Sequence, residues 1–267
     1  MPISPHPVHL VGAGPGDPEL LTLKALRVIR AATVILVDDL VGERVLESAL
    51  DGVAPRPRIV HVGKRGGCAS TPQDFIEKLM VREALAGERV VRLKGGDPLV
   101  FGRAGEEVAA LRAAGLEVVV VNGITSALGA AASLGIGWTD RGVDAQGVLL
   151  VTGHTRLDCD GQDWDAIGRV AASGVTLVVY MGITRIRTIV DALRAHLPAK
   201  LAVAVVQHAT TGHERALRGT LGGLVDLVES QGIGSPAILI IGRVTEAARI
   251  AARSGELAVD AARVVSR

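Results

Sequence analysis

The chain has 267 residues, with 29 Lys and Arg against 28 Asp and Glu and a formal net charge of +1, so it is long enough for one large domain or two small ones and lacks the basic footprint of a protein whose main partner is a nucleic-acid backbone. Hydrophobic residues make up 48% and charged ones 21%, which excludes a disordered chain. Aromatic residues reach only 2%, too few for base-stacking surfaces.

Short β-branched runs alternate with helical patterns along the chain. Strands are expected at Val8–Val11, Thr33–Val37, Arg58–Val62, Arg89–Leu93 and Glu117–Val121. Helical spacing lies between them: Glu19–Ala31, with Leu20, Leu23, Leu26 and Val28 toward one side, then Pro72–Ala86 and Arg103–Ala114. The strands are nearly continuous apolar runs, as expected when helices cover both faces of a mostly parallel sheet. A second set follows, with strands at Gly147–Thr152, Val175–Tyr180, Leu201–Val206, Arg215–Thr220 and Ala237–Ile241. Its helices are expected at Trp164–Ala172, Thr184–His196, Leu221–Ser230 and Val244–Ala252, and Arg215–Thr220 is a candidate for antiparallel pairing. The expectation is a pair of α/β domains with mainly parallel or mixed sheets, residues 1–122 and 123–267, and an active cleft between them. Gly255–Arg267 reads as a frayed helix or tail.

Val118–Thr139 carries no charge and is long enough to span a bilayer. It holds Gly123, Gly129, Gly135 and Gly137 among hydroxyl side chains, so it reads as a strand, a turn at Asn122-Gly123 and a small-residue helix. The N-terminus has no signal-peptide pattern. Cys68 and Cys159 make no disulfide framework or zinc spacing. A cytoplasmic protein without membrane or metal is expected.

Chemistry-bearing residues gather after the expected strands. Val11-Gly12-Ala13-Gly14-Pro15-Gly16-Asp17-Pro18 follows the first. A dinucleotide fingerprint needs its third glycine where Asp17 stands. Pro15 also removes an amide donor, and Asp17 would repel a pyrophosphate, so the loop suits a ligand without phosphate. After the fourth strand comes Lys94-Gly95-Gly96-Asp97-Pro98-Leu99-Val100-Phe101-Gly102-Arg103, where the glycines expose backbone and Asp97 offers a carboxylate to an amine, hydroxyl or cation, or starts a turn. Asp38-Asp39 and Gly63-Lys64-Arg65 follow the second and third strands. A carboxylate and an ammonium facing one cleft serve as base and acid when the site tunes them; the bland readings are a cap for Asp38 and a solvated charge for Lys64. Gly123-Ile124-Thr125-Ser126, Tyr180-Met181-Gly182 and Gln207-His208-Ala209-Thr210 supply small and hydroxyl-bearing walls, and Met181 suits a flat ring. His154 reads as structural.

In this order the segments resemble the S-adenosylmethionine-dependent tetrapyrrole methyltransferases over about Val8 to Arg243. GAGPGDPELLTLKA (Gly12–Ala25) is one of the most specific pieces of the resemblance, and the GxGPG loop within it is shared widely in that family. GKRGG…STPQ (Gly63–Gln73) and LKGGDPLVFGR (Leu93–Arg103) point to the branch acting on uroporphyrinogen III. The resemblance implies two α/β domains in a homodimer and methylation of two ring carbons of uroporphyrinogen III, giving precorrin-2 for sirohaem or cobalamin. S-adenosylmethionine is the implied donor and S-adenosylhomocysteine its product. The implied cofactor contacts are Pro15, Gly95, Gly96, Asp97 and Val100 in the first half, with Thr125, Ser126, Met181 and Ala209 after it. Asp38 is the implied proton acceptor and Lys64 the donor.

Methyl transfer from a sulfonium needs alignment and exclusion of water rather than a protein nucleophile or metal. The substrate is rich in carboxylates, and Arg65, Arg92, Lys94, Arg103 and Arg141 are candidate partners for them. Val37, Asn122, Asp140 and Ala209 depart from the family pattern, and Ala209 would crowd a close backbone contact. No fused dehydrogenase–ferrochelatase module is expected ahead of the first strand. Three rival readings remain: a methylase for a later precorrin, a nicotinamide oxidoreductase and a non-catalytic tetrapyrrole-binding protein. The STPQ and GGDPLVFGR segments speak against the first, the misplaced glycine against the second, and the acid/base pair and cofactor loop against the third.

Overall fold

The computed structural model describes residues 5–63, 71–154 and 161–246. Lys64, Arg65, Cys68, Cys159 and the expected tail after Gly255 lie outside them, as does most of the expected helix Val244–Ala252. Contacts divide the chain into two units, one ending at Ser126 and the other starting at Ala127.

The first unit holds β1 (Val8–Gly12), α1 (Leu23–Ala31), β2 (Val34–Val37), α2 (Glu43–Ala49), β3 (Arg58–His61), α3 (Gln73–Leu85), β4 (Val90–Lys94), α4 (Ala104–Ala113) and β5 (Val118–Val121). Its strands form one sheet in the order β3-β2-β4-β1-β5, every neighbouring pair parallel. Successive strand residues point to opposite faces, and both faces are buried. Val8, Leu10, Val34 and Leu36 pack with Ile76, Met80 and Leu111 of α3 and α4. Val11, Ile35 and Val37 pack with Ile29 of α1 and Val45 of α2. That double burial is why the strands read as unbroken apolar runs.

The expected helix Glu19–Ala31 is interrupted. Asp17 Oδ1 accepts from Glu19 N and starts a separate 3-10 turn, Pro18–Leu20; Thr22 Oγ1 then accepts from Ala25 N and starts α1 afresh. The new start changes the phase, so Ala25 and Ile29 form the buried face and Leu23 is 81% exposed.

The second unit holds α5 (Ser126–Leu134, its first residue closing the first unit), β6 (Val148–Thr152), α6 (Trp164–Ala172), β7 (Thr176–Tyr180), α7 (Ile186–Leu193), β8 (Ala202–Gln207), β9 (Arg215–Thr220), α8 (Leu224–Ser230) and β10 (Ala237–Ile241). The sheet order is β6-β7-β10-β8-β9. Only β6 and β7 pair in parallel, while the β7–β10, β10–β8 and β8–β9 pairs are antiparallel. This unit is therefore mixed where the first is parallel. Leu177, Val179, Val205 and Leu239 meet Ile189 and Leu193 of α7 and Leu224 of α8 in its core. Among the described residues, no helix is long and apolar enough to cross a membrane.

Candidate active site

A parallel sheet brings all its strand ends to one edge. Along that edge stand, in spatial order, Gly63 after β3, Asp38 after β2, Gly95–Asp97 after β4, the Gly12–Gly16 loop of β1 and Asn122–Ser126 after β5. The loops after β1 and β4 are joined through backbone, and the β5 loop lies close against them. Ala13 N donates to Lys94 O at 2.8 Å, Gly96 N to Gly14 O at 2.8 Å and Gly14 N to Gly96 O at 3.2 Å. A side chain on Gly12 would place its Cβ 2.6 Å from both Gly123 N and Gly96 O. Only glycine permits that approach, and Gly96 also holds a positive φ of 68°.

Asp97 is the polar joint of these loops. Its Oδ1 accepts from Leu99 N at 2.8 Å; its Oδ2 accepts from Gly123 N at 3.0 Å and Asn122 Nδ2 at 3.1 Å. The carboxylate expected to offer itself to a ligand is thus engaged in holding the β4 and β5 loops together, and Asn122, a departure from the family pattern, donates one of the bonds. Gly95, Gly96, Asp97, Thr125 and Ser126 come together here, with Ser126 N 3.5 Å from where a Gly96 Cβ would lie. Pro15 sits in the loop bonded to Gly96, and Val100 N closes a turn on Asp97 O at 3.2 Å.

Asp38 is the first residue beyond β2. It lies on the sheet face shared by Leu36, Val90, Arg92 and Lys94, the face covered by α3 and α4. Arg92 and Lys94, expected to meet substrate carboxylates, are 3% and 4% exposed. Their charges turn inward instead because strand alternation aims them at Glu107 of α4. Glu107 Oε1 accepts from Arg92 Nε and from Lys94 Nζ, both at 3.0 Å, and its Oε2 accepts from Lys94 Nζ at 3.1 Å. Arg92 also reaches Asp38 Oδ2, at 3.3 Å. Burial opposes ionisation of Asp38, but the Asp39 hydrogen bond and then the Arg92 and Lys94 charges outweigh it, and the carboxyl lies below its ordinary range. Burial, followed by repulsion from Arg92, pulls the Lys94 ammonium below the usual lysine range against the pull of Glu107.

Arg103 takes a left-handed conformation, φ 57°, immediately before α4, and its exposed guanidinium holds Glu106 at 2.9 and 2.6 Å. Leu40, Leu99 and Phe101 on neighbouring loops are 61%, 61% and 41% exposed. In the second unit, Met181 follows β7 with φ 53° and is 46% exposed. Ala209 is buried between His208 and Thr210, both at positive φ. Glu214 secures that loop, its Oε2 accepting from Thr210 N at 2.5 Å and Ser133 Oγ at 2.6 Å. Arg141 is exposed and opens a 3-10 turn capped by Asp140. It lines a cavity of about 630 Å³ with Thr139, Asp140 and Asp144.

Residues 7–225 match the family model described as Tetrapyrrole (Corrin/Porphyrin) Methylases. The chain belongs to the tetrapyrrole methylase family. Among its relatives in that family, a uroporphyrinogen-III C-methyltransferase of Pseudomonas aeruginosa is 51% identical over 239 residues, 89% of this chain and 94% of the relative. The structure of uroporphyrin-III C-methyl transferase from Thermus thermophilus, complexed with S-adenyl homocysteine, is 40% identical with a TM-score of 0.74, covering 91% of this chain and all (100%) of that one. A cobalt precorrin-4 methyltransferase structure gives a TM-score of 0.77 at 25% identity, covering 89% of this chain and 95% of that one. Backbone likeness thus spans the family, while identity singles out the uroporphyrinogen branch.

Glu107 and Glu214 are residues that sequence reasoning missed, and Asn122 was read as a turn and a departure from the family pattern but not as a partner of Asp97. A signal existed for Glu107: Arg92 lies within, and Lys94 directly after, a strand expected to be buried on both faces, so two cations on one face need a buried acid opposite. Among the described residues, no group of three or more His, Cys, Asp or Glu side chains is placed to hold a metal ion.

Proposed function

We propose that this protein methylates two ring carbons of uroporphyrinogen III with S-adenosylmethionine, giving precorrin-2 for sirohaem or cobalamin synthesis. The observation that carries this reading is the 51% identity to a uroporphyrinogen-III C-methyltransferase across 89% of the chain. The convergence of three glycine-lined loops at the end of the parallel sheet supports it.

Those loops fit S-adenosylmethionine. Gly12–Pro18, Gly95–Phe101 and Gly123–Ala127 contain no Lys or Arg, so they offer neutral backbone and hydroxyl groups to an adenosyl and amino-acid ligand rather than a cradle for phosphate. Pro15, Gly95, Gly96, Val100, Thr125 and Ser126 would hold it from the first unit, with Asp97 fixing their loops. Met181 and Ala209 are the further cofactor contacts that the family resemblance implies. When bound, the cofactor supplies an electrophilic methyl group on a sulfonium.

The chain's own residues orient the ring and move its proton. Asp38, ionised at neutral pH, takes a proton at a carboxylate oxygen. A base held below its ordinary range is weak, but a methylated cationic ring is a strong acid and needs no more. Lys64, outside the described residues, is the proposed donor. Arg103 and Arg141, with Arg65, are the proposed partners of substrate carboxylates, and Leu40, Leu99 and Phe101 offer apolar surface to a flat macrocycle. The reading includes a cytoplasmic homodimer, supported by the family resemblance and low cysteine content.

Anaerobic incubation with enzymatically generated uroporphyrinogen III and methyl-labelled S-adenosylmethionine tests the reading. A product heavier by two methyl groups is expected. Cofactor binding without methylation of this substrate would transfer the assignment to a later precorrin, and absence of cofactor binding would point to a tetrapyrrole carrier.

A further inference from the structure

We propose that Glu107 is a positioning residue for proton transfer at Asp38, acting through Arg92 and Lys94. The proposal rests on the reading of Asp38 as proton acceptor.

Glu107 is fully buried, at 0% exposure, in the middle of α4. It has no path to a substrate, yet it gathers the Arg92 and Lys94 cations beside Asp38. The Arg92 guanidinium is fixed at every corner: Nε donates to Glu107 Oε1, one terminal nitrogen to Leu36 O at 3.4 Å and Leu93 O at 3.3 Å, and the other to Asp38 Oδ2 at 3.3 Å. Both Glu107 oxygens hold Lys94. Buried ion clusters are poor stabilisers, because apolar side chains of similar volume commonly replace them without loss. What this cluster does supply is fixed positive charge beside the Asp38 carboxylate at the end of β2. Asp38 is faced by Asp39 from its own loop and by Arg92 and Lys94 from β4, with Glu107 of α4 behind those two.

Glu107→Gln preserves the shape and removes the charge. At the acid pH where Asp38 titrates, Lys94 stays protonated, so Arg92 and Lys94 lose their shared counter-charge while Asp38 loses a negative group behind them. In the full-length, cofactor-free protein, carbon-13 NMR of the aspartate carboxyls reads this directly, the Asp38 signal being assigned by its loss in Asp38→Asn. The midpoint of that signal is expected to fall by about one unit. The acid limb of kcat should move down with it, while the Kd of S-adenosylhomocysteine and the substrate KM stay within about threefold. Should Glu107→Gln fold poorly, Glu107→Gln with Lys94→Met restores the buried charge balance, and its Asp38 midpoint should lie above that of wild type, because the Lys94 charge acts on Asp38 directly. An Asp38 midpoint and acid limb identical to wild type in a folded variant would overturn the proposal and leave Glu107 a packing residue. Wild-type turnover by Asp38→Asn would instead remove the Asp38 reading beneath it, whatever the NMR midpoint does.

Discussion

Asp97 illustrates how a residue can govern a site through its neighbours. It accepts three hydrogen bonds that tie Leu99, Asn122 and Gly123 into one surface. Asp97→Ala would leave those donors without their acceptor in a mostly buried setting, a loss of about 2–4 kcal/mol by the usual cost of orphaned donors to a charged partner. The β4 and β5 loops would then separate, and binding of S-adenosylhomocysteine should weaken by tenfold or more on the scale of about 1.4 kcal/mol per decade. Urea denaturation and titration calorimetry measure the two effects. Lost stability with unchanged affinity would make Asp97 a fold residue alone. The sequence marks Asp97 as a chemistry-bearing residue but not which groups claim its oxygens, because Asn122 and Gly123 reach it only through the β1–β4 and β1–β5 pairings. The same holds for Arg92 and Lys94: their charge was legible, while the side of the sheet on which they are neutralised depended on a helix partner.

Elements were more legible than contacts. Each expected strand is found, its ends shifted by at most one residue, because β-branched runs bounded by Gly and polar clusters are a local signal. The seven-residue α2 escaped, being too short to show a periodic face; Arg215–Thr220 pairs antiparallel as expected, but the other strand directions in the second sheet depended on connections that local spacing does not encode. Between α3 and β3 lies a further consequence of packing. Glu83 is buried and bound by Arg82 and Arg58. The Arg82 hydrogen bond, opposed by burial and aided by Arg58, holds its carboxyl below the ordinary glutamate range. A carboxyl lowered on folding contributes stability that is complete above its unfolded value and is lost as pH falls through the lower folded value. The midpoint of thermal unfolding should therefore fall as pH drops below about 4.3, the reference for glutamate. Glu83→Gln should be less stable near neutrality and show a flatter acid-side decline. Parallel curves for the two proteins would mean that the Arg82 and Arg58 contacts persist without the charge.

At the scale of the whole molecule, the net charge of +1 hides two electrostatic environments. The three loops assigned to the cofactor contain no Lys or Arg, whereas the proposed substrate contacts, Arg65, Arg103 and Arg141, are all cationic. A nearly neutral protein exerts little long-range steering, so attraction for a carboxylate-rich tetrapyrrole must come from those few guanidinium groups at short range. Salt separates the two sites. The Debye length contracts from about 10 Å at 0.1 M to about 3 Å at 1 M salt, weakening exposed charge pairs such as those of Arg103 and Arg141. Across that range the substrate KM should rise several-fold, while the Kd of S-adenosylhomocysteine, measured by calorimetry in the same buffers, should stay within about twofold because no countercharge is assigned to it. Equal salt dependence of both ligands would contradict the division, because it would require the glycine loops to hold their ligand by charge, as a phosphate cradle does, rather than by the neutral backbone approach that Gly12, Gly96 and Gly123 make possible.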